Sequence, residues 1–182
     1  MINLKTNIKM IMEGRIIMYI LDEIKNKAKE ISAEKIFIFV DMDGVIADYR
    51  FGERINIKNN VPGTYFNKRP ITTAIQRLLE ISKDNNVELF ILSSCLYNEQ
   101  AIEKDKWLDI HAPFFKKENR IYTISINSEN RKQLKVDRIQ EKLNENSSAF
   151  SVLIDDTHEI LFLAQNELGK RFAPFHVITL FD

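Results

Sequence analysis

The sequence predicts an α/β fold, a parallel sheet covered on both faces by helices, and three observations carry that prediction. Short apolar runs rich in β-branched and aromatic residues recur along the chain. Stretches with helical spacing of apolar residues separate them. The conspicuous polar residues fall just after the runs and not inside them. At 182 residues, 45% hydrophobic and 29% charged, the chain has material for one ordinary domain with a sizeable core.

Taken in order, residues 1–15 have no clear pattern and are expected to be a disordered segment ahead of a single domain over 16–182. Ile16, Ile17, Ile20, Leu21, Ile24, Ala28 and Ile31 then follow helical spacing, which predicts an amphipathic helix packed on the domain or on a second copy of the chain. IFIFV (36–40) reads as a buried strand. RPITTAIQRLLEISKDNN (69–86) starts at a proline, carries Ile71, Ala74, Ile75, Leu78 and Leu79 on one face, and stops at Asn85 and Asn86. VELFIL (87–92) is a second strand, and NEQAIEKDKWLDIH (98–111) a helix closed by Pro113, with Trp107 and Ile110 at core spacing. RIYTISI (120–126) is a third strand, followed by a helix from about Asn130 to Leu143. FSVLI (150–154) is a fourth strand, HEILFLAQNELG (158–169) a helix ending at Gly169, and HVITLF (176–181) a final strand. Connections between parallel neighbours are expected to be right-handed.

Composition narrows the function. Lys plus Arg and Asp plus Glu both number 26, so there is no global basic field and no strong nucleic-acid signal. The single cysteine, Cys95, excludes an intrachain disulfide and suits a reducing compartment. The run IIMYIL (16–21) is too short to span a bilayer and lacks a small-residue cleavage site after it. A cytoplasmic protein with no membrane partner is the expectation.

In a doubly wound sheet, ligands bind at the carboxyl ends of the strands. After IFIFV come Asp41 and Asp43, separated by Met42 and followed by Gly44. After VELFIL come Ser93 and Ser94; after RIYTISI a helix start with Lys132 and Lys135; after FSVLI, Asp155 and Asp156. Each alone is unremarkable, since Asp pairs cap helices, serines fill loops and lysines are solvated. A calcium loop is a poor reading of DMDG because that motif needs an oxygen ligand where Val45 stands. In strand order, the four together deliver carboxylates, hydroxyls, an amine and more carboxylates to one sheet edge.

Charge says what such an edge is for. A carboxylate is anionic at neutral pH, and so is a phosphate ester. Bringing two such charges within about 4 Å costs roughly 4 kcal/mol at an effective dielectric of about 20. Attack by an aspartate on phosphorus therefore needs positive charge beside it. Asp41 and Asp155 can hold Mg²⁺, a hard cation that takes oxygen ligands. A lysine and a serine hydroxyl would supply the remaining donors.

DMDGVIAD, LFILSS, a lysine after the third strand and VLIDD resemble the four motifs of the haloacid dehalogenase-like phosphohydrolases, over roughly residues 34–182. DMDGV followed by Asp48, the RPI segment, the ILSS–KWL spacing and ENRI are most similar to the 5'(3')-deoxyribonucleotidase-like group. The resemblance implies a Rossmann-like three-layer fold with sheet order 5-4-1-2-3. It implies that Asp41 is the nucleophile, forming an aspartyl-phosphate, and that Asp43 protonates the leaving oxygen and then deprotonates water. It implies that Ser93 binds the phosphoryl group, that Asp41, Asp155 and the backbone carbonyl of Asp43 hold Mg²⁺, and that Asp156 orients that shell from behind. Gly44 and Ser94 would support the site. Either Lys132, with Asn130 as N-cap and Gln133 in capping-box position, or Lys135, by its neighbours KVDRI, fits the third motif.

Members of this group carry a lid after the first motif. Here only YRFGERINIKNNVPGTYFNK, about residues 48–68, is available, a minimal cap too short and too rich in Gly and Pro for a helical bundle. Packing is the expected role of Tyr49, Phe51, Tyr65 and Phe66, with base stacking the alternative; Arg50, Arg54 and Lys58 read as a solvated face. Cys95 reads as a small buried thiol, and His111, His158 and His176 as too scattered for zinc. The expected activity is Mg²⁺-dependent hydrolysis of a small-molecule phosphomonoester, a nucleoside monophosphate first. A larger phosphoester, such as a nucleic-acid end or a phosphoprotein, and a non-catalytic binding role are the alternatives. A second copy of the chain is a candidate partner through the N-terminal helix.

Overall fold

The computed structural model describes residues 20–48 and 65–181. The expected segment 1–15 lies outside them, as do 49–64 and with them Tyr49, Phe51, Arg50, Arg54 and Lys58. A helix over residues 20–30, α1, leads into β1 (Lys35–Val40). Then follow α2 (Thr72–Ile81), β2 (Val87–Cys95), α3 (Asn98–His111), β3 (Arg120–Ile124), α4 (Ser128–Glu145), β4 (Ala149–Asp155), α5 (His158–Leu168) and β5 (Phe172–His176). All four pairings are parallel, and the order is β3-β2-β1-β4-β5, the order the resemblance implied.

β1 shows why the sheet is covered on both faces. Side chains alternate across a strand, so Ile36, Ile38 and Val40 point to one side and Phe37 and Phe39 to the other. The first set packs with Ile20, Ile24 and Ala28 of α1, Leu78 and Ile81 of α2, and Trp107 and Leu108 of α3. The second meets Val136, Ile139 and Leu143 of α4 and Ile160, Leu161 and Ala164 of α5. Phe90 of β2 stacks on Phe39, with ring centroids 4.9 Å apart, and meets Phe37 edge-on at 5.4 Å. The apolar face of α1 is thus spent on this chain's own core from residue 20 onward, and Lys25 ion-pairs with Asp84 in the turn before β2.

Several boundaries differ from the sequence reading, each for a physical reason. The final strand is Phe172–His176, and 177–180 form a 3₁₀ turn instead of the expected strand HVITLF. Pro174 falls inside β5, where a missing N–H is tolerated because β5 is an edge strand paired only with β4. β2 runs on through Ser93, Ser94 and Cys95, which pair with Tyr122, Thr123 and Ile124 of β3. α4 begins two residues earlier than expected because Asn127, not Asn130, caps it: Asn127 Oδ1 accepts from the amides of Glu129 at 2.9 Å and Asn130 at 3.3 Å. Trp107 is fully buried, but Ile110 is 57% exposed; the buried stripe of α3 is Lys104, Trp107 and Leu108. Leu79, placed on the apolar face of α2, is also largely exposed, and α2 ends at Ile81, short of the asparagines. No described helix is long and apolar enough to cross a membrane.

If α1 is integral to the core, Ile24→Ala should cost about 3 kcal/mol, the range for emptying a fully buried branched site. Urea unfolding monitored by Trp107 fluorescence checks this, and a cost below about 0.5 kcal/mol, the level of an exposed surface change, would show that α1 is not load-sharing.

Candidate active site at the carboxyl edge of the sheet

The first motif is shaped by its apolar residues. Met42, Val45, Ile46 and Ala47 are all fully buried, and the Met42 carbonyl accepts from the amides of Val45, Ile46 and Ala47 at 3.3, 3.0 and 2.8 Å. This curl leaves Asp41 and Asp43 to face the sheet edge. It brings Gly44, at φ +76°, so close to the loop after β4 that a Cβ there would stand 2.3 Å from Asp156 Oδ2. Only glycine suits both that conformation and that approach. The segment beyond is tied at its root, because the amide of Asp48 donates to the Arg69 carbonyl at 2.8 Å and that of Ile71 to the Ile46 carbonyl at 2.8 Å.

Three of the predicted carboxylates come together. One oxygen from each of Asp41, Asp155 and Asp156 lies within 4.8 Å of the others. Lys135, on the buried face of α4, reaches in between: its Nζ is 2.8 Å from Asp155 Oδ2 and 3.0 Å from Asp41 Oδ1. The second contact is an ion pair, and the buried Asp41 Oδ1 accepts no hydrogen bond among the described residues. Asp155 also accepts from the amide of Thr157 at 2.9 Å. Burial, and after it the repulsion of Asp155, pushes the Asp41 carboxyl above its ordinary range although Lys135 opposes it. Burial and the Asp41 charge likewise raise Asp156. The Lys135 ammonium, which burial alone would weaken, is held charged by Asp41 and Asp155. An all-carboxylate donor set with one orphaned buried oxygen fits a hard divalent cation. The side chain of Asp43 is not in this group, and Asp156, expected to orient it from behind, is a member of it.

Asp43 instead sits between two ammonium groups that the sequence reading did not single out. Lys104 Nζ donates to Asp43 Oδ2 at 2.7 Å, to Ser93 Oγ at 2.8 Å and to the Ser94 carbonyl at 2.8 Å. Lys68 Nζ donates to Asp43 Oδ1. Burial alone would raise the Asp43 carboxyl, but Lys104 and then Lys68 outweigh it and hold the group down to about 2. Lys104, fully buried, has its own ammonium held charged by Asp43 against the effect of burial. A lysine four residues before Leu108 and three before Trp107 lies on the buried stripe of an otherwise solvated helix, and that spacing was the available signal for it.

A cavity of about 340 Å³ opens here, lined on its floor by Asp41, Asp43, Lys68, Lys135, Asp155 and Asp156. Ser94 lines it too, its hydroxyl 3.0 Å from that of Thr123, whereas Ser93 is fully buried beneath, accepting from Lys104. Lys132 lies at the rim, with Glu129 at 3.0 Å and Glu159 at 3.4 Å; of the two lysines considered for the third motif, Lys135 is the one that meets Asp41. Cys95 is a buried thiol pushed up to about 11 by burial. His158 and His176 stack with centroids 4.5 Å apart, and His111 lies against Trp107 at 4.6 Å.

No protein-family model matches the chain, and no curated protein matches it. Among solved structures it is similar to a chain of the Pnkp1/Rnl/Hen1 complex, with a TM-score of 0.56 at 15% identity, covering 78% of this chain and 45% of that one. This chain therefore spans less than half the length of its structural neighbour, and the likeness is one of fold: a five-stranded parallel sheet flanked by helices.

Removing one member of a buried ion pair strands the other, so Lys104→Met should cost about 3 kcal/mol near neutral pH. Because the folded pKa of Asp43 is depressed from 3.8 to about 2, the stability from this pairing is present above about pH 4 and is lost as pH falls toward 2. The deficit of the variant against the parent, measured by urea unfolding from pH 7 down to pH 3, should therefore shrink below pH 4; a constant deficit would refute the ion-pair account.

Proposed function

We propose that the protein is a divalent-metal-dependent phosphomonoester hydrolase of the haloacid dehalogenase-like kind, working through an aspartyl-phosphate on Asp41. The observation that carries this reading is the division of labour between two carboxylates two residues apart. Asp41 stands with Asp155 and Asp156 around a position suited to a cation, while Asp43 is clamped by Lys68 and Lys104 on the other side. A structural acidic loop has no use for two such different environments.

The inner charges favour the same reading. The three clustered carboxylates, Asp41, Asp155 and Asp156, meet one ammonium group directly, that of Lys135. A divalent cation beside them would offset their repulsion of one another and of an anionic ester. Asp41, Asp155 and Asp156 would hold it, and by the resemblance it is Mg²⁺. When bound, it offsets charge on the phosphoryl oxygens.

The residues then act as follows. Asp41 attacks phosphorus, forming one P–O bond as the ester's P–O bond breaks; the leaving oxygen departs on the side of Asp43 and takes its proton from water. Lys135, fixed by Asp155, keeps Asp41 oriented and lends positive charge beside it. Asp43, held ionised, then takes a proton from the water that bonds to phosphorus as the Asp41 O–P bond breaks, which frees phosphate and the Asp41 carboxylate, and gives that proton up to solvent. Lys104 ties Asp43 to Ser93 and Ser94, so the first and second motifs are fixed as one unit. A nucleoside monophosphate is the first substrate to try, on the strength of the sequence resemblance.

Phosphate release from a nucleoside monophosphate and from p-nitrophenyl phosphate, with Mg²⁺, tests the reading. Turnover should fall to background in Asp41→Asn and on chelation with EDTA, and return when Mg²⁺ is restored. Turnover that survives Asp41→Asn in a folded protein would sink the covalent mechanism.

A further inference from the structure

Lys68 belongs to no motif of the sequence reading, yet it reaches the centre of the site. It sits in a turn at 65–68, at the downstream root of the segment between β1 and α2. That turn is fastened to α3 at both ends. Glu103 Oε2 accepts from the Tyr65 amide at 3.0 Å, and Trp107 Nε1 donates to the Lys68 carbonyl at 2.9 Å. Tyr65, 2% exposed, turns the face of its ring to two ammonium groups, with Lys68 Nζ 4.8 Å and Lys104 Nζ 4.9 Å from the ring centroid. Both of those groups donate to Asp43, one to each carboxylate oxygen.

The two lysines are not equivalent. Lys104 is fully buried and lines no part of the cavity, so it can act only through Asp43, Ser93 and the Ser94 carbonyl. The side chain of Lys68 is 17% exposed and lines the cavity next to Asp43. On the reaction proposed above, Asp43 works on the leaving-group side of phosphorus, opposite the attacking oxygen of Asp41. A cation hydrogen-bonded to Asp43 and open to the cavity is therefore within reach of the ester's leaving oxygen.

We infer that Lys68 is a catalytic residue that donates to the leaving oxygen of the ester, and that Tyr65, Glu103, Trp107 and Lys104 are the residues that position it. The inference rests on the phosphohydrolase reading and adds to it a leaving-group contact supplied from outside the sheet. The root of the segment between β1 and α2 thereby contributes chemistry. Negative charge builds on the leaving oxygen as the P–O bond breaks, and more of it must be stabilised when the leaving group is a poor one.

The test compares two esters in the full-length chain with Mg²⁺: a nucleoside monophosphate, whose alkoxide leaves poorly, and p-nitrophenyl phosphate, whose phenolate leaves well. Lys68→Met should lower kcat on the nucleotide by about 100-fold, the usual effect of losing one transition-state donor. On p-nitrophenyl phosphate it should lower kcat by less than about 10-fold. Lys68→Arg should recover part of the nucleotide rate. A merely structural role would depress both substrates alike. Equal losses, or no loss on the nucleotide, with turnover still abolished in Asp41→Asn, would overturn the inference and leave the phosphohydrolase reading standing. Absence of turnover on both esters in the unaltered protein would overturn the two together.

Discussion

Like charges crowded at one sheet edge are the constraint on which the rest of this structure turns. β1 and β4 are neighbours in register, Val40 beside Ile154, so the aspartates that follow each strand are delivered side by side. Carboxylates a few ångströms apart in a partly dry site repel by several kcal/mol. The ammonium groups that offset this come from three separate places. Lys135 comes from α4 on one face of the sheet, Lys104 from α3 on the other, and Lys68 from the turn that α3 holds. Both helical layers are therefore coupled to the electrostatics of the edge, and a helix that shifts withdraws a charge.

The core does the placing. Val136, Ile139 and Leu143 seat α4 against Phe37 and Phe39, and Lys135 shares that buried stripe, so the same packing that docks the helix aims its amine at Asp155. Trp107 works in the same way on the other face. Its indole is buried in the core while its N–H donates to the Lys68 carbonyl, linking core packing to the position of a site lysine. Burying each lysine is costly by itself. It is tolerated because each has carboxylate partners and, for Lys104, a hydroxyl and a carbonyl that use its other donors.

Much of this was legible in the sequence, and the parts that were not share a cause. Parallel strands buried on both faces read as uninterrupted apolar runs, so β1, β2 and β4 stood out, and whatever polar residue followed them stood out too. Asp41, Asp43, Ser93, Asp155 and Asp156 were found that way. Lys104 was hidden because a lysine on a helix is ordinarily solvated, and α3 is polar around most of its circumference. Lys68 was hidden because its partner is remote: twenty-five residues separate it from Asp43. The choice between Lys132 and Lys135 depended on which face of α4 is buried, and Lys135 shares the stripe of Val136, Ile139 and Leu143. The last strand was placed at HVITLF, a more continuous apolar run, whereas the segment that pairs with β4 is Phe172–His176, whose edge position tolerates Pro174.

The two aspartates that follow β1 end up unlike each other because of what lies between and beyond them. Met42 is driven into the core, so Asp41 and Asp43 leave the strand on either side of a buried anchor. Asp41 falls toward β4, where Asp155, Asp156 and Lys135 meet it, and burial disfavours its charge. Asp43 falls toward β2 and α3, where two ammonium groups favour its charge. Two carboxylates of opposite electrostatic character are thus produced by one short apolar insertion in an acidic stretch. The chemistry proposed for this edge follows from where Met42 goes.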